Sequence, residues 1–380
     1  MDFDRRFGIL AGLEMSTSEL GIAIIGCGGI TLQNHLPGLA MCRGVKAVAL
    51  CDTNETSLQR ANTQTGINTI STDYRQIVQR DDVHAVIVAT PNVSHAEIAL
   101  AAIAAGKHVL CEKPIAMNYS EARRMYETAE KAGVRHMTAF TYRFVPGMRY
   151  LAHLSKSGAL GKIYHYRSCR LQDWGDRALG WRQVAKLAGS GEMGDMLSHR
   201  IDFSHLLVGA MVRIVADMKR LIDSRQGNAS DLEDWVAILA EFQNGASGVL
   251  ESSKLATGRN ESWRSQDYVE VNGSEASYVF FTERWNELQV GKKGGSGLEK
   301  ITIPREFWVW PGSPRDPANG DPLVTFRYDQ TFEFIDAIRN QRPCVPSFFE
   351  GMQTQAVIEA AQVSARERRW VNMPEDYANK

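Results

Sequence analysis

Short apolar runs punctuate the first 140 residues, and polar segments with helical spacing fill the gaps between them. The runs at 20–25, 45–51, 84–89, 107–111 and 135–140 read as strands, since four to eight apolar residues bounded by turn signals suit a strand covered on both faces. Ala96, Leu100 and Ile103 recur at helical spacing, as do Ala122, Met125, Ala129 and Ala132. Gly106 and Gly133 follow as C-terminal stops. Such alternation predicts an α/β domain built on a doubly wound parallel sheet.

From about residue 162 the pattern changes. The runs at 163–167, 237–242, 247–251, 268–271 and 277–281 read as strands. Asn244-Gly245 and Asn272-Gly273 mark two hairpins, and the glycine cluster at 294–297 marks a further turn. Val357, Ala360, Ala361 and Ser364 show helical spacing. This half predicts an α+β domain with a large, mostly antiparallel open sheet. The expected division is 15–145 and 146–380, with 1–14 an N-terminal extension expected to be disordered. A Pro-rich stretch at 303–325 carries Phe307, Trp308 and Trp310, which either pack locally, stack on a ligand or reach a neighbouring subunit.

Composition narrows the class. Lys plus Arg is 43 and Asp plus Glu is 44, a balance that argues against nucleic-acid and anionic-membrane partners. The six cysteines form no C-x-x-C pair, which suits buried thiols in a reducing cytoplasm. No apolar run approaches the roughly 18 residues of a membrane span. His, Asp and Glu show no metal-ligand spacing, so no metal is expected.

The first strand runs into Gly26-Cys27-Gly28-Gly29-Ile30-Thr31, a G-x-G-x-x-T fingerprint opening a helix predicted over 32–42. Gly26 suits the tight turn, and Gly28, with Gly29 and Ile30, lets backbone approach a pyrophosphate at the helix N-terminus. Asp52 falls 21 residues after Thr31, where a carboxylate accepts from a ribose 2′-hydroxyl and repels a 2′-phosphate. The expected cofactor is therefore NAD.

Alcohol oxidation needs a base for the hydroxyl proton while hydride leaves the same carbon. Lys113 ends a predicted strand beside the nucleotide crevice, and Pro114 after it disfavours helix. Asp195 and His199, four residues apart, share one face if their segment is helical. The catalytic set is read as His199 for the base, Lys113 to polarise the reacting oxygen and Asp195 to position substrate. Lys113 and His199 can exchange roles in this reading. Arg170, Gln172 and Trp174 are expected to project from a strand edge toward substrate.

Thr90-Pro91-Asn92-x-x-His95, then Glu112-Lys113-Pro114, Tyr142-Arg143-Phe144-x-Pro146, Gly189-Ser190-Gly191 and Asp195-x-x-x-His199-x-x-Asp202 together resemble the glucose–fructose oxidoreductase/inositol dehydrogenase (Gfo/Idh/MocA) family. Thr31 departs from its usual small third residue, and Gly189-Ser190-Gly191 stands where three glycines are common. The segments at 283–288, 308–312, 329–332 and 346–351 look like a narrower group that includes levoglucosan, scyllo-inositol and glucoside 3-dehydrogenases. The resemblance implies a Rossmann domain and places Thr90, Pro91, Asn92, His95, Glu112, Lys113, Arg143, Trp181 and Arg182 at the cofactor, with Lys113 and Arg143 also facing substrate. It implies NAD-dependent oxidation of a cyclic sugar, glycoside or inositol, by a homodimer or homotetramer. Two alternatives stand beside it: a redox-neutral glycosidase that uses the same site, and a non-catalytic NAD sensor.

Overall fold

The computed structural model describes residues 19–261 and 266–379; the expected extension at 1–14 lies outside them. Six parallel strands form the first sheet: β1 (Leu20–Ile25), β2 (Val45–Cys51), β3 (Ile70–Ser71), β4 (Ala85–Val88), β5 (His108–Cys111) and β6 (His136–Thr138). Their order is β3-β2-β1-β4-β5-β6, so the chain reverses direction across the sheet between β1 and β4. That reversal opens a crevice at the strands' carboxyl ends, where such sheets bind ligands. β1 and β2 carry the bounds expected of them, whereas β4 and β6 are shorter than their apolar runs. Asn54 and Asn118 cap the helices Glu55–Thr65 and Tyr119–Ala132, and left-handed Gly66 and Gly133 end them.

The segment expected as a helix over 32–42 is wound differently. A π turn spans Thr31–His35, and an α-helix follows only over Leu36–Ala40. Pro37 has no N–H to donate back along this stretch, which weakens regular α winding there. A second π turn, Met193–Leu197, carries Asp195 and runs into the helix Ser198–Leu207. Here the Ser198 hydroxyl donates to the Gly194 carbonyl at 2.7 Å and so competes with the backbone ladder.

The second half holds β7 (Ile163–Leu171), β8 (Met211–Lys219), a small ribbon of β9 (Ser224–Arg225) and β10 (Asn228–Ala229), β11 (Trp235–Phe242), β12 (Ser247–Ser253), β13 (Gln266–Gly273), β14 (Ala276–Phe281), β15 (Glu287–Lys292), β16 (Glu299–Thr302) and β17 (Val371–Asn372). Nine of them form one sheet in the order β16-β15-β14-β13-β7-β12-β11-β8-β17. All neighbours are antiparallel except β7 and β12, which run parallel in the middle. Val236, Ile238, Ala240 and Phe242 of β11 alternate inward, while Leu239 stands exposed on the other face with Tyr164 and Val212.

The 20-residue helix Phe348–Glu367 packs on the helix Tyr119–Ala132, on β6 and on β8, and so joins both halves. A capping box of Ser347 and Glu350 starts it. Thr138 Oγ1 donates to the Ser347 carbonyl at 2.9 Å, and the Phe348 amide donates to His136 Nδ1 at 3.1 Å. The Pro-rich stretch is anchored on its own half: the Trp308 indole N–H donates to the Ile303 carbonyl, and that of Trp310 to Glu333. Among the described residues no helix is long and apolar enough to cross a membrane, and none of the His, Cys, Asp and Glu side chains group to hold a metal ion.

Candidate active site

A cleft of about 710 Å³ lies between the halves, at the carboxyl ends of the parallel strands. Its first end is the glycine turn. Gly26 has φ of +102°, and a Cβ there would come within 2.3 Å of the Ala89 carbonyl oxygen, so only glycine fits. Gly28 and Gly29 face open space, where a Cβ would meet nothing within 4 Å. The unusual Thr31 is fully buried, and its hydroxyl donates to the Gly26 carbonyl at 2.5 Å, which braces the turn. Asp52 accepts from the Cys27 amide at 2.7 Å and the Asn54 amide at 2.8 Å, so its carboxylate is fixed beside the turn. An open glycine backbone with a carboxylate at the end of the next strand fits a pyrophosphate and an unphosphorylated ribose.

Behind the turn, His35 and Glu112 pair at 2.9 Å. Burial would raise the Glu112 carboxyl, but His35 and Lys113 outweigh it and hold it below its ordinary value. The His95 ring lies between the Pro114 and Thr90 carbonyls, at 2.8 and 2.9 Å, and ties those two loops together without lining the cleft. Asn92 donates across to the Ala188 carbonyl at 2.8 Å. Thr90, Asn92 and Glu112 line the cleft; Pro91 does not.

At the other end, Lys113 reaches across from the first half to Asp195, its Nζ 2.6 Å from the backbone oxygen and 3.1 Å from Oδ1. Arg182 Nε stands 3.8 Å from the same carboxylate. Burial would push Asp195 up, but Lys113, Arg182 and Lys254 together hold it well below the carboxylate range. His199 is 3% exposed, packs edge-on against Tyr142 at 4.2 Å, and its Nδ1 is buried with no partner among the described residues. Burial first, then the positive charges of Lys113, Arg200, Arg170 and Arg327, hold the ring neutral well below pH 6.5. A neutral imidazole has a lone pair with which to accept a proton, while burial and the cations beside it oppose the charged form that results.

The cleft brings together Lys113, Arg170, Gln172, Trp174, Trp181, Arg182, Asp195 and His199. Arg143 stands apart from this group. Expected at cofactor or substrate, it is buried and donates through Nε and Nη2 to Asp202 at 2.7 and 2.6 Å, outside the cleft wall. A guanidinium in that low-dielectric position needs a carboxylate partner, and Asp202 supplies it. Arg170 and Arg200 both pair with Asp267 in the floor. The sequence reading missed Gln33, Arg177, Glu261 and Arg327, all in the cleft wall. Gln33 follows the glycine fingerprint on the turn it opens, whereas Arg177, Glu261 and Arg327 lie in no motif and reach the site through tertiary packing.

An open glycine turn facing a lysine, an aspartate and a neutral histidine across a cleft defines an NAD-dependent dehydrogenase. Known proteins agree. The profile described as oxidoreductase family, NAD-binding Rossmann fold, matches residues 20–140, and the Gfo/Idh/MocA C-terminal domain matches 148–279. The chain belongs to the Gfo/Idh/MocA family. It is 33% identical over 339 residues to levoglucosan dehydrogenase of Pseudarthrobacter phenanthrenivorans, covering 82% of this chain and 85% of that protein. It is 30% identical over 255 residues to myo-inositol 2-dehydrogenase of Thermotoga maritima, covering 67% and 73%. A levoglucosan dehydrogenase structure in complex with NADH and levoglucosan superposes with a TM-score of 0.85 at 31% identity, covering 94% of this chain and all of that one.

Proposed function

We propose that this enzyme oxidises a secondary hydroxyl of a cyclic sugar, glycoside or inositol, with the C3 hydroxyl of a glucopyranose-like ring as the first candidate. The observation that carries the reading is the Lys113–Asp195 contact, which sets a proton-handling cluster opposite the glycine turn. NAD, when bound, supplies the acceptor for the hydride. His199 takes the hydroxyl proton, as a ring held neutral is able to do. Lys113 donates to the reacting oxygen and favours its loss of the proton. Asp195 accepts from a neighbouring hydroxyl and orients the ring. The names of the two relatives, which act on levoglucosan and myo-inositol, support this substrate class. We also infer a homodimer or homotetramer, since Tyr164, Val212 and Leu239 stand exposed on the uncovered face of the large sheet. The six free, buried thiols suit a cytoplasmic setting.

The test is purified protein with NAD and a panel of inositols, anhydrosugars and glycosides, followed for NADH and for released aglycone. NADH accumulation on a cyclic polyol is expected. Aglycone release without net NADH would replace the dehydrogenase with a redox-neutral glycosidase.

A further inference from the structure

Beneath the wall of the cleft that carries Trp174 lies a buried ion pair whose part in the chemistry above is so far only its field at Asp195. Lys254 and Glu192 are 2% and 0% exposed, with Nζ 3.8 Å from Oε2. The Ser252 hydroxyl donates to the other oxygen of Glu192. A buried pair of opposite charges does not by itself stabilise a fold, because desolvation cancels much of the attraction. Its placement is more informative. The Lys254 carbonyl accepts from the amides of Trp174 at 3.1 Å and Gly175 at 2.9 Å. The Lys254 stem fills the space beside Gly175, where a Cβ would come within 2.4 Å of Lys254 Cγ. Its ammonium then lies 5.3 Å from the centroid of the Trp174 ring, within cation–π range. Trp174 lines the cleft, and its indole Nε1 is buried with no partner among the described residues. A buried N–H without a partner is costly, and a ligand oxygen relieves that cost.

We propose that Lys254, held by Glu192, is a positioning residue that fixes the Trp174 indole so that its Nε1–H meets an oxygen of the substrate ring. This rests on the reading that the cleft takes a hydroxylated ring. Besides its field at Asp195, Lys254 acts on the substrate through Trp174. Burial pushes Glu192 up to about 7 against the pull of Lys254, so near neutral pH it is shared between the carboxylate and the protonated form.

Two measurements test the inference, one of them independent of any substrate. Protein labelled with 5-fluorotryptophan and loaded with NADH should show one sharp fluorine resonance for Trp174, assigned by its loss in Trp174→Phe. Lys254→Met keeps the stem and removes the charge; it should broaden or split that resonance, and Lys254→Arg should preserve it. An unchanged resonance in Lys254→Met overturns the proposal. Kinetics on levoglucosan and myo-inositol form the second arm. Lys254→Met should raise KM about tenfold, the scale of one hydrogen bond, with kcat within threefold. Trp174→Phe should do the same, and the double variant should be no worse than Trp174→Phe alone. Additive losses mean that Lys254 does not act through Trp174. If Lys254→Met fails to fold because Glu192 is left buried, Lys254→Met with Glu192→Gln carries the same expectations. A wild-type enzyme that turns over no polyol would sink the proposed function and leave the fluorine spectrum to decide this inference.

Discussion

Asp195 and Asp202 sit seven residues apart on one helical stretch and serve opposite ends. Asp195 opens on the cleft and is shared by Lys113 and Arg182. Asp202 is 1% exposed and, among the described residues, is held in a two-pronged pair by Arg143. Their acidities diverge accordingly. Cations hold Asp195 well down, whereas burial pushes Asp202 up to about 6 despite its arginine. The same carboxylate is thus a cleft-facing charge in one place and a structural tie in the other, where it binds the turn Thr141–Phe144 to the helix Ser198–Leu207. A motif that names both residues together does not separate these tasks; surroundings do.

The comparison breaks or holds on substitution. The largest expected effect is at the cleft: Lys113→Ala or His199→Ala should lower kcat by about 10²–10⁴-fold, the range for a lost acid–base group, with NADH affinity nearly unchanged by fluorescence titration. A His199→Ala enzyme with near wild-type kcat would remove His199 from the base role. Next is Arg143→Met, which strands a buried carboxylate and should cost about 3–5 kcal/mol in urea melts. Arg143→Met with Asp202→Leu should regain most of that loss, because neither charge is then left buried. Asp195→Asn should act chiefly on function, raising KM by roughly tenfold for one charged hydrogen bond, with a smaller loss in urea melts than Arg143→Met. If it unfolds the protein instead, the two aspartates are alike after all.

The finest distinction is in pH. Asp202 has a folded pKa above its unfolded one, so the folded state holds the proton more tightly and its contribution to stability grows as pH falls from about 6 toward 4. Asp195 has a folded pKa below its unfolded one; its contribution is full above about pH 4 and is lost as pH falls through the folded value. Asp202→Asn should remove the first slope and Asp195→Asn the second, read from denaturant midpoints between pH 3 and 7.

Local pattern carried the first half well. β1 and β2 are buried apolar runs between turns, and the glycine spacing marks a place where backbone geometry admits no side chain. The hairpin of β11 and β12 follows from Asn244-Gly245 in the same way. Lys113, Asp195 and His199 were legible because each sits in a short motif. The two π turns were not, since they depend on Pro37 and on the Ser198 hydroxyl diverting backbone bonds. The parallel pairing of β7 with β12 joins residues 82 apart, and no local period encodes it. The Arg143–Asp202 pair was not legible, because a conspicuous arginine beside a site motif gives no sign that its partner is a buried aspartate. Glu192 and Lys254 went unread for the same reason.

The helix Phe348–Glu367 has a consequence for how the protein is made. Phe348, Phe349 and Met352 belong to the same hydrophobic core as Ile25, Val88 and Met125 of the nucleotide half. Yet more than 200 residues separate them from β6 in order of synthesis. On a ribosome, the nucleotide half emerges first and waits with one flank uncovered until nearly the whole chain has followed. Apolar surface left uncovered in this way favours aggregation before the chain is complete. Release of the nascent chain before residue 348 should leave a soluble yield far below that of the full-length protein.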